Sequence, residues 1–187
     1  MYIRKSEIGD LPRMMEIYAR ARDFMARTGN PRQWGIRKWP PEELIRQDIR
    51  DGNSYVCLGD AGQILGTFFF IQGPDIEPTY REITNGAWMD PGPYGVVHRI
   101  ASAGTEKGVG AFCLRWALDQ CGHLRIDTHA DNRVMQNLLK KLGFRYCGII
   151  YVYEDRDPRL AFEILRDRGV SSSRSPAGAD QTGTAPR

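Results

Sequence analysis

The sequence predicts an α/β fold built on one mixed sheet, and three observations predict it. Tyr94 to Ala101 reads as a strand, on the β-branched pair Val96 and Val97 with Ile100 after it, and runs through a glycine-bearing loop toward a helix. In that helix Val109, Phe112, Cys113, Trp116, Ala117 and Cys121 recur at i, i+3, i+4, i+7, i+8 and i+12, which is one apolar face. Upstream, Ser54 to Leu58 and Gln63 to Gln72 flank the turn Gly59-Asp60-Ala61-Gly62 and read as a hairpin. An antiparallel beginning followed by a strand–helix–strand crossover makes the sheet mixed, with helices flanking it.

The elements follow in order. Tyr2 to Arg4 reads as a first strand. Asp10 stands where it can cap a helix, with Pro12 tolerated in the first turn. Leu11, Met14, Met15, Tyr18 and Met25 share a face of that helix, which ends near Thr28-Gly29-Asn30-Pro31. Arg32 to Pro40 is a loop whose Trp34 and Trp39 either wall a pocket or pack on the next helix. Pro41-Glu42-Glu43 suits a first turn, and the second helix runs to Asp51-Gly52. After the hairpin, Gly73 to Gly95 is rich in proline and glycine and too long for a tight connection. With Tyr80, Glu82, Trp88 and Tyr94 in it, the segment reads as a lid. Leu124 to Thr128 is the next strand. A helix from Asn132 places Val134, Met135, Leu138, Leu139 and Leu142 on its apolar face and stops at Gly143. Phe144 to Val152 and Arg159 to Leu165 are the last strands, and the order is β-α-α-β-β-β-α-β-α-β-β. One domain over residues 1–167 follows. Residues 168–187, small and polar, are expected to form a disordered tail.

Composition narrows the function. A chain of 187 residues, 41% hydrophobic and 26% charged, supports one core. No apolar run is long enough to span a membrane and the N-terminus lacks a signal-peptide core, so a cytoplasmic protein without a membrane partner is expected. The net charge is +3, and the tail alone holds three arginines against one aspartate. The folded part is thus close to neutral, and no nucleic-acid partner is expected. Four cysteines without a CxxC pair, and no histidine cluster, give no metal site; Cys57 and Cys113 read as buried thiols.

The loop Thr105-Glu106-Lys107-Gly108-Val109-Gly110 precedes a helix N-terminus, where free N–H groups and the macrodipole favour an anion and glycine lets phosphate approach the main chain. A plain turn is the competing reading. The Walker A pattern is excluded because Lys107 precedes Gly108. The dinucleotide fingerprint is excluded because Cys113 stands at its third glycine.

These residues, with the element order over about residues 2 to 165, resemble the GNAT acetyltransferase superfamily. Its phosphate loop, Arg/Gln-x-x-Gly-x-Gly/Ala, is matched at Gly108 and Gly110, with Thr105 where Arg or Gln is usual. Its second element, Asn-x-x-Ala-x-x-Leu-Tyr-x-x-x-Gly-Phe, is matched at Asn132, Leu138, Gly143 and Phe144, with Met135 and Leu139 replacing the small residue and the tyrosine. The resemblance implies a GNAT-like acyl-CoA N-acyltransferase fold and acetyl-CoA as the acyl donor. It implies that Ile100, Ala101 and Ser102 hold the pantetheine arm, that the amides of Lys107, Gly108, Val109, Gly110 and Ala111 hold the pyrophosphate, and that Asn132 orients the cofactor. The strand at 94–101 and the strand at Leu124 are expected to splay apart to admit the thioester. The expected activity is transfer of an acetyl group to a primary amine of a small molecule or peptide. A homodimer is compatible with this reading, and a non-catalytic acyl-CoA sensor is the alternative.

An alkylamine is mostly protonated at neutral pH and attacks a thioester only when neutral, so a base is useful. His98, Glu82, Asp127 and His129 are the candidates. Period-two alternation puts His98 on the face of Ile100, and an imidazole suits proton transfer near neutrality. A hydrogen-bonded structural histidine is the competing role, and Asp127 could instead pair with Arg99 or Arg125. The Ile100 N–H is the candidate donor to a developing oxyanion. Trp34, Tyr80 and Trp88 are the expected acceptor-binding residues. Leu139 cannot protonate the leaving thiolate as the family's tyrosine does; Tyr146, Tyr151 and Tyr153 are possible substitutes, and a thiol near pKa 8.5 also leaves unprotonated.

Overall fold

A computed structural model describes residues 1–35, 38–153 and 156–166. The expected tail, 168–187, and residues 154 and 155 between the last two expected strands lie outside the described residues. The elements are β1 (Tyr2–Lys5), α1 (Leu11–Arg27), α2 (Glu42–Arg50), β2 (Ser54–Leu58), β3 (Ile64–Gly73), β4 (Tyr94–Ser102), α3 (Val109–Cys121), β5 (His123–Thr128), α4 (Arg133–Leu142), β6 (Arg145–Tyr151) and β7 (Pro158–Leu165). One seven-stranded sheet runs β1-β2-β3-β4-β5-β7-β6. Every neighbouring pair is antiparallel except β4 and β5, which are parallel. The predicted mixed α/β architecture and element order are thus observed. No helix among the described residues is long and apolar enough to cross a membrane.

Two apolar layers cover the sheet. Phe68, Phe70, Val97, Leu124 and Ile126 pack under α3 and α4, against Cys113, Leu114, Ala117 and Leu139. On the opposite face Val56, Leu58 and Ala101 meet Met14, Ile17 and Tyr18 of α1, Ile45 of α2, and Trp34. Asp10 departs from expectation. It lies inside a short 3-10 turn, Ile8–Asp10, that leads into α1, and makes no side-chain cap bond to that helix. Its carboxylate reaches back instead, accepting the Glu7 N–H at 2.8 Å and two bonds from Arg4 at 2.6 and 2.9 Å.

The 73–95 segment folds onto the sheet as its own small core, with Tyr80 and Tyr94 against Val96, Ile150 and Ala161. A Cβ on Gly86 would meet the Cys147 carbonyl oxygen at 2.0 Å, so only glycine lets the segment lie this close to β6. A buried carboxylate fastens its far end. Glu163 of β7 is fully buried and accepts from the Met89 N–H, from Arg125 Nε at 2.9 Å and from His123 Nε2 at 2.5 Å. Burial raises its pKa, but these donors outweigh burial and hold it below the usual carboxylate range. The Arg125 guanidinium lies over the rings of Trp88 and Tyr94, 4.3 and 4.0 Å from their centroids.

Two features open the sheet at its centre. The β4–β5 register holds only for Gly95 opposite Leu124 and Val96 opposite Arg125. On its other side β4 bulges: His98 opposes Phe69 and Ala101 opposes Thr67, so Arg99 and Ile100 together face Phe68. Arg99 carries the irregularity, with φ at 51° in the left-handed region.

Candidate active site

Where β4 and β5 diverge lies a cleft of about 870 Å³. Its floor is Val97 to Ile100 of β4 and Ile126 to Thr128 of β5. Trp34 and Trp39 of the α1–α2 connection and Glu77 and Thr79 of the lid form two of its walls.

His98 is at the centre. Its Nε2 lies 2.7 Å from Glu77 Oε2, and its Nδ1 lies 4.0 Å from Asp127 Oδ1. A carboxylate only accepts, so the Nε2–H donates to Glu77, and Nδ1 is the ring nitrogen turned toward Asp127. Glu77 is itself held by the Thr79 hydroxyl at 2.6 Å and the Thr79 N–H at 3.2 Å. Burial alone would raise the Glu77 pKa, but the His98 contact and the Thr79 bonds bring it down to about 2, so it is ionised at neutral pH. Asp127 accepts from the Tyr80 hydroxyl at 2.8 Å. Burial, followed by the adjacent Asp127 charge, pushes the Tyr80 phenol well above its ordinary range and keeps it a donor. The pattern is an imidazole between two carboxylates, each held in turn by a hydroxyl, from Thr79 and from Tyr80.

The bulge re-aims these side chains. Ile100 packs under α3 and α4, whereas His98 sits beside the Phe69 ring, 6.0 Å between centroids, on the other face. The expectation that they share a face is corrected, because two residues against one break the alternation. The bulge is braced from outside the sheet. Arg99 Nη2 and Nε reach Asp48 Oδ2 of α2 at 2.8 and 3.1 Å, and its guanidinium lies 4.4 Å over the Phe69 ring. Burial raises the Asp48 pKa, and the Arg99 charge opposes it. Asp48→Ala would leave a largely buried guanidinium unpaired; it is expected to cost about 3 kcal/mol in urea unfolding, and a cost near zero would show that the pair braces nothing.

Of the four candidates for the base, His98 and Asp127 line the cleft and face each other. Arg99 pairs with Asp48 and Arg125 with Glu163, so neither of the alternative Asp127 partnerships forms. Glu82 is exposed and outside the cleft lining; the lid carboxylate that touches His98 is Glu77. His129 is buried, and its Nδ1 accepts the Asp131 N–H at 3.0 Å in a local turn. Among the acceptor-site expectations, Trp34 lines the cleft and packs edge-on against Tyr18. Tyr80 supports Asp127 from behind. Trp88 lies outside the cleft lining and packs on Tyr80 and Arg125, its indole N–H donating to the Tyr80 carbonyl at 2.8 Å.

The loop after β4 is exposed from Gly104 to Gly108, Lys107 included. Gly108 is the N-cap of α3 with φ at 85°, and the first bond from the helix back to it comes from Phe112 N–H to the Gly108 carbonyl at 2.9 Å. The N–H groups of Val109, Gly110 and Ala111 therefore precede the first intrahelical bond, as helix geometry requires. A Cβ on Gly108 would meet no atom within 4 Å, so the glycine serves its dihedral and an open approach. This arrangement fits an oxyanion of a phosphate ester. Asn132 caps α4, accepting the Met135 N–H at 3.1 Å and donating to Gln33 at 3.0 Å, and it also lines the cleft. Leu139, at the family's tyrosine position, is fully buried among Cys113, Leu114 and Phe144. Tyr146, Tyr151 and Tyr153 lie outside the cleft lining.

No family model and no curated protein matches the chain. Solved structures do. A GNAT-family acetyltransferase from Streptococcus agalactiae is 29% identical, with a TM-score of 0.80 over 89% of this chain and 96% of that one. A GNAT-family acetyltransferase from Listeria monocytogenes is 16% identical, with a TM-score of 0.63 over 88% and 94%. The ribosomal-protein-S18-alanine N-acetyltransferase of Escherichia coli is 16% identical, with a TM-score of 0.58 over 91% and 97%.

Proposed function

We propose that this chain, which carries the fold of the GNAT acetyltransferases, moves an acetyl group from acetyl-CoA to a primary amine of a small molecule or peptide by direct attack. The single observation that carries the reading is His98 between Glu77 and Asp127 on the floor of a cleft opened by the β4 bulge. The free amides at the α3 N-terminus support the choice of donor, and the likeness to the Streptococcus agalactiae acetyltransferase supports acyl transfer.

Acetyl-CoA, when bound, supplies an activated carbonyl and a thiolate that leaves. The amides of Val109, Gly110 and Ala111 would hold its pyrophosphate, with Lys107 beside them. Ile100, Ala101 and Ser102 would hold the pantetheine arm along the free edge of β4, with Asn132 opposite. His98 takes the amine proton at Nδ1. Glu77 fixes the tautomer that leaves Nδ1 open, and both carboxylates stabilise the imidazolium that forms. Trp34 and Trp39 supply apolar surface for the acceptor's body.

Thermal unfolding with acetyl-CoA, with ATP and NAD in parallel, tests the donor site. At a hundred times its dissociation constant a ligand stabilises by about 2.7 kcal/mol, and that shift is expected with acetyl-CoA alone. A shift with ATP or NAD and none with acetyl-CoA would sink the reading.

A further inference from the structure

Thr128 ends β5 with a hydroxyl that nothing in the described protein satisfies. It is 1% exposed, its Oγ1 has no hydrogen-bond partner, and the residue lines the cleft. A buried hydroxyl without a partner destabilises the fold, and a valine would fill the same space without that cost. Leu124, Ile126 and Thr128 share one face of β5 by alternation, while Arg125 and Asp127 face the lid. Thr128 therefore lies on the face of Ile100 and Met135, which also line the cleft. It comes one residue after the carboxylate facing His98. On the β7 side it is registered with Leu160; on the β4 side the pairing has already ended.

Among the described residues lining the cleft, Thr79 and Thr128 carry the hydroxyls, and Thr79 donates to Glu77. Leu139 offers no proton, and the three nearby tyrosines lie elsewhere. We propose that the Thr128 hydroxyl donates a hydrogen bond to the coenzyme A sulfur and stabilises it as a thiolate. This rests on the acetyl-CoA reading above. In the transfer, the amine nitrogen forms its bond to the acetyl carbon and the C–S bond breaks with its electron pair going to sulfur. The amine proton goes to His98 Nδ1. Thr128 keeps its own proton and bonds the sulfur more strongly as its negative charge grows, since a charged acceptor strengthens a hydrogen bond. The thiolate leaves with its charge and takes a proton from solvent.

The test needs no acceptor. Thr128→Val and Thr128→Ser are made in the full chain, melted without ligand, and titrated calorimetrically with CoA and with acetyl-CoA at pH 7 and pH 9. The valine variant is expected to melt at or above the wild-type temperature. It should bind acetyl-CoA within about twofold of wild type and lose about tenfold in CoA affinity at pH 9, where the thiolate fraction is larger than at pH 7. The smaller loss belongs at pH 7, and serine should restore binding. Equal effects on both ligands, no effect on either, or a valine variant that melts well below wild type would overturn the proposal. Failure of the wild-type chain to bind either ligand would instead overturn the acetyl-CoA reading beneath it.

Discussion

Gly108→Asp is expected to abolish acetyl-CoA binding while leaving the fold in place. Two terms act, and they separate. The first is steric: φ at 85° is a left-handed conformation that costs a non-glycine residue about 1–2 kcal/mol. No atom lies within 4 Å of the new Cβ, so no clash adds to it. Aspartate is also a favoured N-cap residue, which offsets part of the strain. The second term is electrostatic. The new carboxylate would stand where the pyrophosphate is read to sit. Two like unit charges 4 Å apart repel by about 4 kcal/mol at an effective dielectric of 20. A loss of at least about a hundredfold in acetyl-CoA affinity follows, read by calorimetry. Gly108→Ala carries the strain without the charge and should keep most of the affinity. Equal affinities for the aspartate variant and wild type would remove the loop from the donor site.

His98→Ala is the second large effect. A positioned base contributes about 10²–10⁴-fold, so turnover should fall by about a hundredfold or more. Acetyl-CoA affinity should stay within about twofold, because the ring faces the lid and Phe69 rather than the α3 loop. Thiol release across a panel of amines, paired with calorimetry, gives both numbers. Wild-type rates in the variant would reassign His98 to structure. A wild-type chain that binds acetyl-CoA yet releases no thiol with any amine would favour the acyl-CoA sensor.

Much of the fold was legible because it is written in local periods. The apolar face from Val109 to Cys121 and the run Phe68-Phe69-Phe70-Ile71 each declare their element without reference to distant residues. The insertion of β7 between β5 and β6 was not legible, since strand order depends on pairing between distant segments. The bulge left no sequence mark either: an arginine at φ 51° is not a residue type that advertises a left-handed conformation. That hid which face Ile100 takes. Asp48 did leave a trace, an acid three residues after Ile45 on the buried face of α2, where a charge needs a partner. Glu77 was harder. It and Glu82 sit in one segment without periodicity, and only the 3-10 turn at Pro78–Tyr80 decides which of them the lid turns toward His98.

The strand order also bears on how the chain is made. β7 lies in the middle of its half of the sheet, with six registered pairs to β5 and six to β6. β5 and β6 are not neighbours in the sheet order, and the two share partners only in β7, at Leu160 to Glu163. The N-terminal strands β1 to β4 form a consecutive antiparallel meander and can assemble as they emerge. The half that carries Asp127 must wait for the last described strand. β7 is the link that joins β6 to β5 in the sheet, so a truncation inside it would remove a keystone rather than trim an edge.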